Sequence, residues 1–580
     1  MEMASPRRAA LDHLDALLRL APKPVWATPA LVALGLAASL AETLGITMIV
    51  AFVYSAMGSS EQAAYASGGV LGPMLAHAHG LFGSPARMAL AILLLILARA
   101  ALVHTHRAIS AQVGERISET ARNRIHEQYL RVDYGFMQRH EQAQLMQVLG
   151  TESWLIADAY HSLTRIRIGA CSILMFAAFL LALSWPITLT ALVGSVILSL
   201  VLRRLARPAQ TLGQKVKQVH QVLGEQMLMT IEGLRTIRAY GQEQAHHERF
   251  LQASAEARRT SLALTRLSSR LDPITEVGFL VMLCVIIAGA VHWGTALATV
   301  IAVAALLYRL QPHAREIEGH LLYLAQIEPQ LRSVRLMLAT DDKPYDLPGH
   351  RPIDALRQGI RFDDVTFGYA DGLSPALSGV TFEIPAGRTT ALVGASGAGK
   401  TTIVNLLLRL YFPQQGAITV DGLPLQEVLR VDWLALLGVA GQDVDLIEGT
   451  VLDNIRMANA GASHERLLDA AHMAGVAEFV DTLPDGYETW IGQQAHRFSS
   501  GQRQRLGLAR ALLRDPQLLI LDEAMSALDA DLERRIRQAI DERFAGRTVL
   551  IISHRAATVR EADHVVRLAG GRVVANDSPA

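Results

Sequence analysis

Gly394-Ala395-Ser396-Gly397-Ala398-Gly399-Lys400-Thr401, with Thr402 behind it, follows an apolar run and opens the helical pattern "TTIVNLLL". Glycines at this spacing let backbone N–H groups curl around phosphates, Lys400 reaches the β and γ oxygens, and the Thr401 hydroxyl can ligate Mg²⁺. The helix that follows points its positive end at the same anion. Further on, "LLILDEAMSALD" (518–529) is an apolar strand ending in two acids. Asp522 can complete a Mg²⁺ shell, and Glu523 can polarise an attacking water as general base. Acids at a strand end are commonly helix caps. Beside a phosphate loop they indicate hydrolysis of ATP.

Between these segments lies "FSSGQRQRLGLARAL" (498–512). With it the chain resembles the ATP-binding cassette exporters, whose signature is Leu-Ser-Gly-Gly-Gln before a basic, amphipathic helix. The resemblance covers nearly the whole chain, as a half-transporter of the type IV exporter fold. It implies that Tyr369 in "FGYADG" stacks on adenine and that Gln442 in "GVAGQDVDLIEGT" joins the metal site to the membrane domain. It also implies that "SALD" (526–529) is a dimer contact and that His554 in "IISHR" touches the γ-phosphate during catalysis. The metal set is then Thr401, Gln442 and Asp522. Two cassettes should face head to tail, each ATP held by one phosphate loop and the other subunit's Ser499, Gly501 and Gln502. One cassette per chain demands a dimer. Glu523 and His554 are both present, which favours a homodimer, and a heterodimer with a weaker partner stays open.

Three departures from the family pattern fall on four positions. Phe498 and Ser500 replace the leucine and first glycine of the signature, Gln493 stands where a glutamate is common, and Met525 replaces a threonine. None removes a phosphate ligand.

The elements that position this chemistry need more than one core, since the chain has 580 residues. Hydrophobic residues make up 51% and charged residues 19% of the sequence, which leans toward a membrane protein. Zero formal net charge gives no nucleic-acid footprint, and none is expected as partner. Apolar runs near 28–56, 86–106, 165–184, 187–205, 273–292 and 295–312 are each long enough to span a bilayer. The expected fold is a multidomain membrane protein. A six-helix transmembrane domain (1–340) with long cytoplasmic helical extensions is followed by a linker (341–355) and an α/β P-loop ATPase domain (356–580).

The long connections carry Arg107, Arg116, Arg122, Arg203, Arg204, Arg235 and Arg238, whereas 58–86 carries no Lys or Arg. That bias predicts cytoplasmic termini and cassette, in a bacterial inner membrane. Residues 1–24 read as an amphipathic cytoplasmic helix without a secretory signal. Segments 133–149 and 227–250 look like the family's coupling stretches. Cys171 and Cys284 lie in apolar runs and read as buried small hydrophobes.

Ionisable groups inside spans should point inward or pair. Glu42 and Arg99 sit in opposed spans within reach of one another, and an ion pair between them is expected. Arg165, Arg167, Glu276, Arg309, His313 and Arg315 come toward the cytoplasmic ends. A surplus of arginines there, below spans of Leu, Ala, Ile and Val, suits an amphiphile with an anionic head. The expected function is therefore an ATP-driven exporter or flippase working by alternating access on a lipid or lipid-linked glycan. The lipid flippases are a fold-level analogy. A multidrug or peptide exporter is the second reading, and a nucleotide-gated channel or regulator the third, which the intact Glu523 disfavours.

Overall fold

The computed structural model describes residues 14–19, 24–56, 84–183, 185–206, 208–292, 297–341, 343–369, 374–441, 444–491, 498–553 and 561–577. The chain divides into two units, Met1–Leu130 with His140–Lys343, and Arg131–Arg139 with Pro344–Ala580.

The first unit is helical. Its long elements are Ala27–Ala56, Pro85–Arg131, Leu155–Leu183, Trp185–Ala206, Ala209–Glu232, Glu243–His292 and Leu297–Leu338. Among the described residues, five helices are long and apolar enough to cross a membrane, and each holds one predicted span. The sixth span, 295–312, begins outside the described residues and continues as the helix Leu297–Leu338. Pro85–Arg131 has 47 residues. At 1.5 Å per residue it is about 70 Å long, so it must run well past a bilayer as a polar extension.

Side chains such as Phe176, Leu180, Phe279, Met282, Leu306 and Leu310 pack between these helices. Outward faces stay apolar, with Leu93, Leu94, Leu97, Leu192 and Ile197 all exposed. A face of this kind suits hydrocarbon and not water. The cysteine expectation is corrected here: Cys171 is half-buried and Cys284 is exposed. Cys284 shares the outward face of its helix with Val281 and Val285, which are exposed too.

The second unit is an α/β domain with strands β1 (Gly359–Phe367), β2 (Leu377–Pro385), β3 (Thr389–Gly394), β4 (Gln415–Val420), β5 (Leu423–Pro424), β6 (Leu437–Ala440), β7 (Leu518–Asp522), β8 (Thr548–Ile552), β9 (His564–Ala569) and β10 (Arg572–Asp577). An antiparallel sheet has the order β2-β1-β4-β5, and a second sheet has the order β10-β9-β3-β8-β7-β6. In the second, β9-β3-β8-β7-β6 run parallel and only β10 is antiparallel. The run "LLIL" of β7 is buried throughout, as a central parallel strand covered on both faces requires.

The short segment Arg131–Arg139 belongs to this unit although it lies between the second and third spans in sequence. Val132 bridges Tyr345, and Asp133 N donates to Pro344 O at 3.0 Å. Asp133 caps the helix Tyr134–Gln138, and Tyr134 meets Tyr411 edge-on with ring centroids 5.7 Å apart. Of the stretch 133–149 singled out in the sequence, only the part up to Arg139 groups with the cassette. The predicted linker is pinned as well: Arg430 N donates to Pro348 O at 2.8 Å, and Arg430 pairs with Asp346 at 3.1 Å.

Candidate nucleotide site

β3 delivers the chain into the loop 395–399 and the helix Lys400–Leu407. Gly399 adopts φ +103°, and a Cβ there would lie 2.6 Å from Leu377 Cδ2 and 3.0 Å from Ala376 O. Glycine alone tolerates that backbone and that approach together. Lys400 is buried and donates to Gly394 O at 2.9 Å and Ala395 O at 3.0 Å. Its ammonium therefore rests on the carbonyls of the loop it must serve.

In the parallel sheet β8 separates β3 from β7. The carboxyl ends of the three strands open on one edge, where ligands of such sheets gather. That edge brings together the phosphate loop, Ser553 and the acids Asp522 and Glu523. Burial, and then the neighbouring Glu523 carboxylate, push the Asp522 carboxyl up to about 6, with Lys400 acting in the opposite direction. Glu523 holds φ +50°, a left-handed backbone that side chains other than glycine seldom adopt, and its N–H donates to Ile552 O at 3.1 Å.

Thr401 hydroxyl and Asp522 carboxylate are hard oxygen donors of the kind Mg²⁺ takes. A carboxyl whose affinity for a proton is raised by a second carboxylate is also one that a divalent cation relieves. The residues present fit the ion. Among the described residues no group of three or more His, Cys, Asp or Glu could hold a metal alone. Two predicted site residues, Gln442 and His554, lie outside the described residues, as does Gln493.

Tyr369 reaches the phosphate-loop helix directly. Its hydroxyl lies 3.3 Å from Thr402 Oγ1 and accepts from Asn405 Nδ2 at 3.3 Å. Its ring stands edge-on to Phe367 at 5.0 Å and to Tyr411 at 5.2 Å, a box that fixes the plane available for stacking.

The signature segment forms the start of the helix Ser500–Leu513. Ser499 and Gln502 make a reciprocal capping box: Gln502 N donates to Ser499 Oγ at 3.2 Å, and Ser499 N donates to Gln502 Oε1 at 2.8 Å. Ser499 and Ser500 are exposed, whereas Gly501 is buried and a Cβ on it would stand 2.9 Å from Ala527 O. Phe498, in the place of leucine, is buried against Phe479 with centroids 6.0 Å apart. Met525 is buried too.

Three side chains that hold the candidate site together escaped the motif reading. Asn405 anchors Tyr369. Arg510 holds the segment after Gln442, donating to Asp445 O at 2.6 Å and Asn454 O at 2.7 Å. Gln504 binds the loop that carries Glu523. Only Gln504 and Arg510 had any signal in the sequence, as polar members of the helix after the signature.

With this geometry in hand, two family models match the chain. "ABC transporter" covers residues 377–526, and "ABC transporter transmembrane region" covers residues 36–306. The heterocyst differentiation ATP-binding protein HepA of Nostoc is 31% identical over 467 residues, 80% of this chain and 76% of that protein. The ATP-dependent lipid A-core flippase of Chromobacterium violaceum is 33% identical over 448 residues, 76% of each chain. A solved structure described as a bacterial Atm1-family ABC exporter with ATP bound aligns with a TM-score of 0.80 over 97% of this chain and 95% of that one, at 24% identity. It shares the fold.

Proposed function

The chain belongs to the ABC transporter family, and from that premise we propose that it works as a homodimer that exports an amphiphile with an anionic head. The ATP-driven exporter class is carried by the cassette and the membrane region together. The cargo is inferred from charge. Two guanidiniums, Arg99 and Arg309, share the single carboxylate Glu42 at 3.0 and 2.7 Å, leaving one positive charge in excess at that cluster. That observation carries the reading, because guanidinium forks suit phosphates and carboxylates. The relative from Chromobacterium violaceum is named an ATP-dependent lipid A-core flippase.

In the proposed cycle the phosphate loop and Lys400 hold the triphosphate, Tyr369 stacks on the base, and Glu523 takes a proton from the attacking water. His554 contacts the γ-phosphate, and the partner's Ser499, Gly501 and Gln502 close the site from the other side. Mg²⁺, when bound by Thr401, Gln442 and Asp522, neutralises charge on the phosphates. ATP draws the cassettes together, and hydrolysis resets them. The cassettes face the cytoplasm of a bacterial inner membrane, and lipid moves from the inner to the outer leaflet.

The test is ATPase stimulation in proteoliposomes across a panel of lipids, peptides and drugs, repeated with Arg165, Arg167 and Arg309 changed to alanine. Stimulation by anionic lipids that falls with the arginines supports the proposal. Stimulation by neutral or cationic drugs, indifferent to the arginines, returns the assignment to a drug or peptide exporter. Ion current without steady ATPase activity would make it a channel.

A further inference from the structure

We infer that Gln504 is the positioning residue that links one ATP site of the dimer to the other. The inference rests on the head-to-tail dimer proposed above, in which one subunit's signature segment serves its partner's ATP while its Glu523 serves its own. Such an arrangement needs a connection, inside one chain, between the signature helix and the loop that carries the general base. Gln504 supplies it.

The residue lies five positions after Ser499 on the helix Ser500–Leu513 and is only 4% exposed. Its amide nitrogen donates to Glu523 O at 3.3 Å and to Ser526 Oγ at 3.0 Å, and its amide oxygen accepts from Ala527 N at 3.0 Å. A primary amide offers two N–H groups and one carbonyl, and here all three functions are engaged on one five-residue stretch. Glutamate could supply only the acceptor, and lysine or arginine only donors.

That stretch, 523–527, runs from the general base to the "SALD" segment. It begins with Glu523 at φ +50° and is closed by Ser526 N donating to Glu523 O at 3.0 Å. A backbone in this region persists only where the surroundings hold it. Gln504 grips both ends, and Gly501, in the signature itself, lies against Ala527 O. A rotation of the signature helix on meeting a partner's phosphate therefore pulls on the Glu523 carbonyl. The stretch also borders a cavity of about 100 Å³ lined by Leu521, Glu523, Met525, Glu533 and Ile551.

The experiment uses the full chain in proteoliposomes, with ATPase rate measured against ATP concentration and ATP affinity measured separately by equilibrium binding. Gln504→Met keeps length and fills the space without hydrogen bonds, and Gln504→Glu keeps only the acceptor for Ala527. Both should lower kcat by at least about tenfold, since small displacements of a catalytic group are costly, while the Kd for ATP stays unchanged. The Hill coefficient is expected to exceed one in the wild type and should fall to one in both variants, because the coupling between sites is what is lost. Ser526→Ala, which removes one of the three contacts, should fall between. Two results overturn the inference: Gln504→Met with wild-type kcat and cooperativity, or a loss of kcat that only tracks a lowered Tm while cooperativity persists. A wild-type chain that hydrolyses ATP as a monomer without cooperativity would instead overturn the dimer reading beneath it.

Discussion

Arg99 Nη2 stands 3.0 Å from Glu42 Oε2, so the pair expected between the first two spans is formed. The carboxylate is not Arg99's alone. Arg309 Nε donates to Glu42 Oε1 at 2.7 Å, and His313 Nε2 lies 3.4 Å from Oε2. Glu42 thus ties three helices, and its side chain is only 5% exposed.

A simple pair predicts that losing both partners harms folding less than losing one. Sharing changes that prediction. Glu42→Gln strands two guanidiniums and should cost about 3 kcal/mol, whereas Arg99→Gln leaves Glu42 its Arg309 and should cost about 1 kcal/mol. The double variant strands only Arg309 and should be more stable than Glu42→Gln, between the two single variants. Unfolding of the detergent-solubilised full chain measures all three, and equal stability of Glu42→Gln and wild type would remove the cluster's structural role.

Glu523→Gln keeps the size of the side chain and removes the proposed base. ATP should still bind, and hydrolysis should slow by roughly 10²–10⁴-fold. Single-turnover assays with a parallel binding measurement check this, and near-normal turnover would mean that another group takes the proton.

The signature departure at Ser500 should be tolerated. Ser500 is exposed at the first position of its helix, so Ser500→Gly should leave ATPase activity within about twofold, given that the cap is Ser499 and not Ser500. Gly501→Asp should abolish activity, since even a Cβ there would lie 2.9 Å from Ala527 O. Comparable losses in the two variants would show that the segment is aligned differently.

Asp522 predicts a pH dependence. Burial, and then Glu523, raise its carboxyl from the ordinary aspartate value of 3.8 to about 6. The native chain therefore keeps a proton that the unfolded chain releases. This group's contribution to stability is greatest below pH 3.8, declines as pH rises toward about 6, and stays low above it. Mg²⁺ held by Asp522 as proposed would have to displace that proton, so its affinity should fall by about tenfold per unit below pH 6. Tm measured against pH with ATP, with and without Mg²⁺, checks both signs. In Asp522→Asn the stabilisation by Mg²⁺ and its pH dependence should vanish together.

Much of the site was legible in the chain because its geometry is local. Gly399 must be glycine for reasons that lie within a few residues of backbone and one neighbouring strand, and the acids follow an apolar run that could only be a buried strand. The spans were legible for a similar reason: the length of an apolar run is set against the thickness of hydrocarbon and needs no partner.

What the tertiary structure decided depends on pairs far apart in sequence. Arg309 reaches Glu42 across 267 positions, and no pattern in either span names the other. Gln504 looks like one more polar residue on an amphipathic helix until the loop 523–527 is folded against it. Resemblance marks 133–149 as one coupling stretch, yet only the part up to Arg139 groups with the cassette, where Asp133 and Tyr134 find Pro344 and Tyr411. Hydropathy placed Cys284 inside, whereas helix packing turned it outward, since an apolar residue in a membrane segment gains as much from lipid as from a core. Sequence determines what the backbone and the bilayer demand of consecutive residues; which side chains then meet is decided by packing.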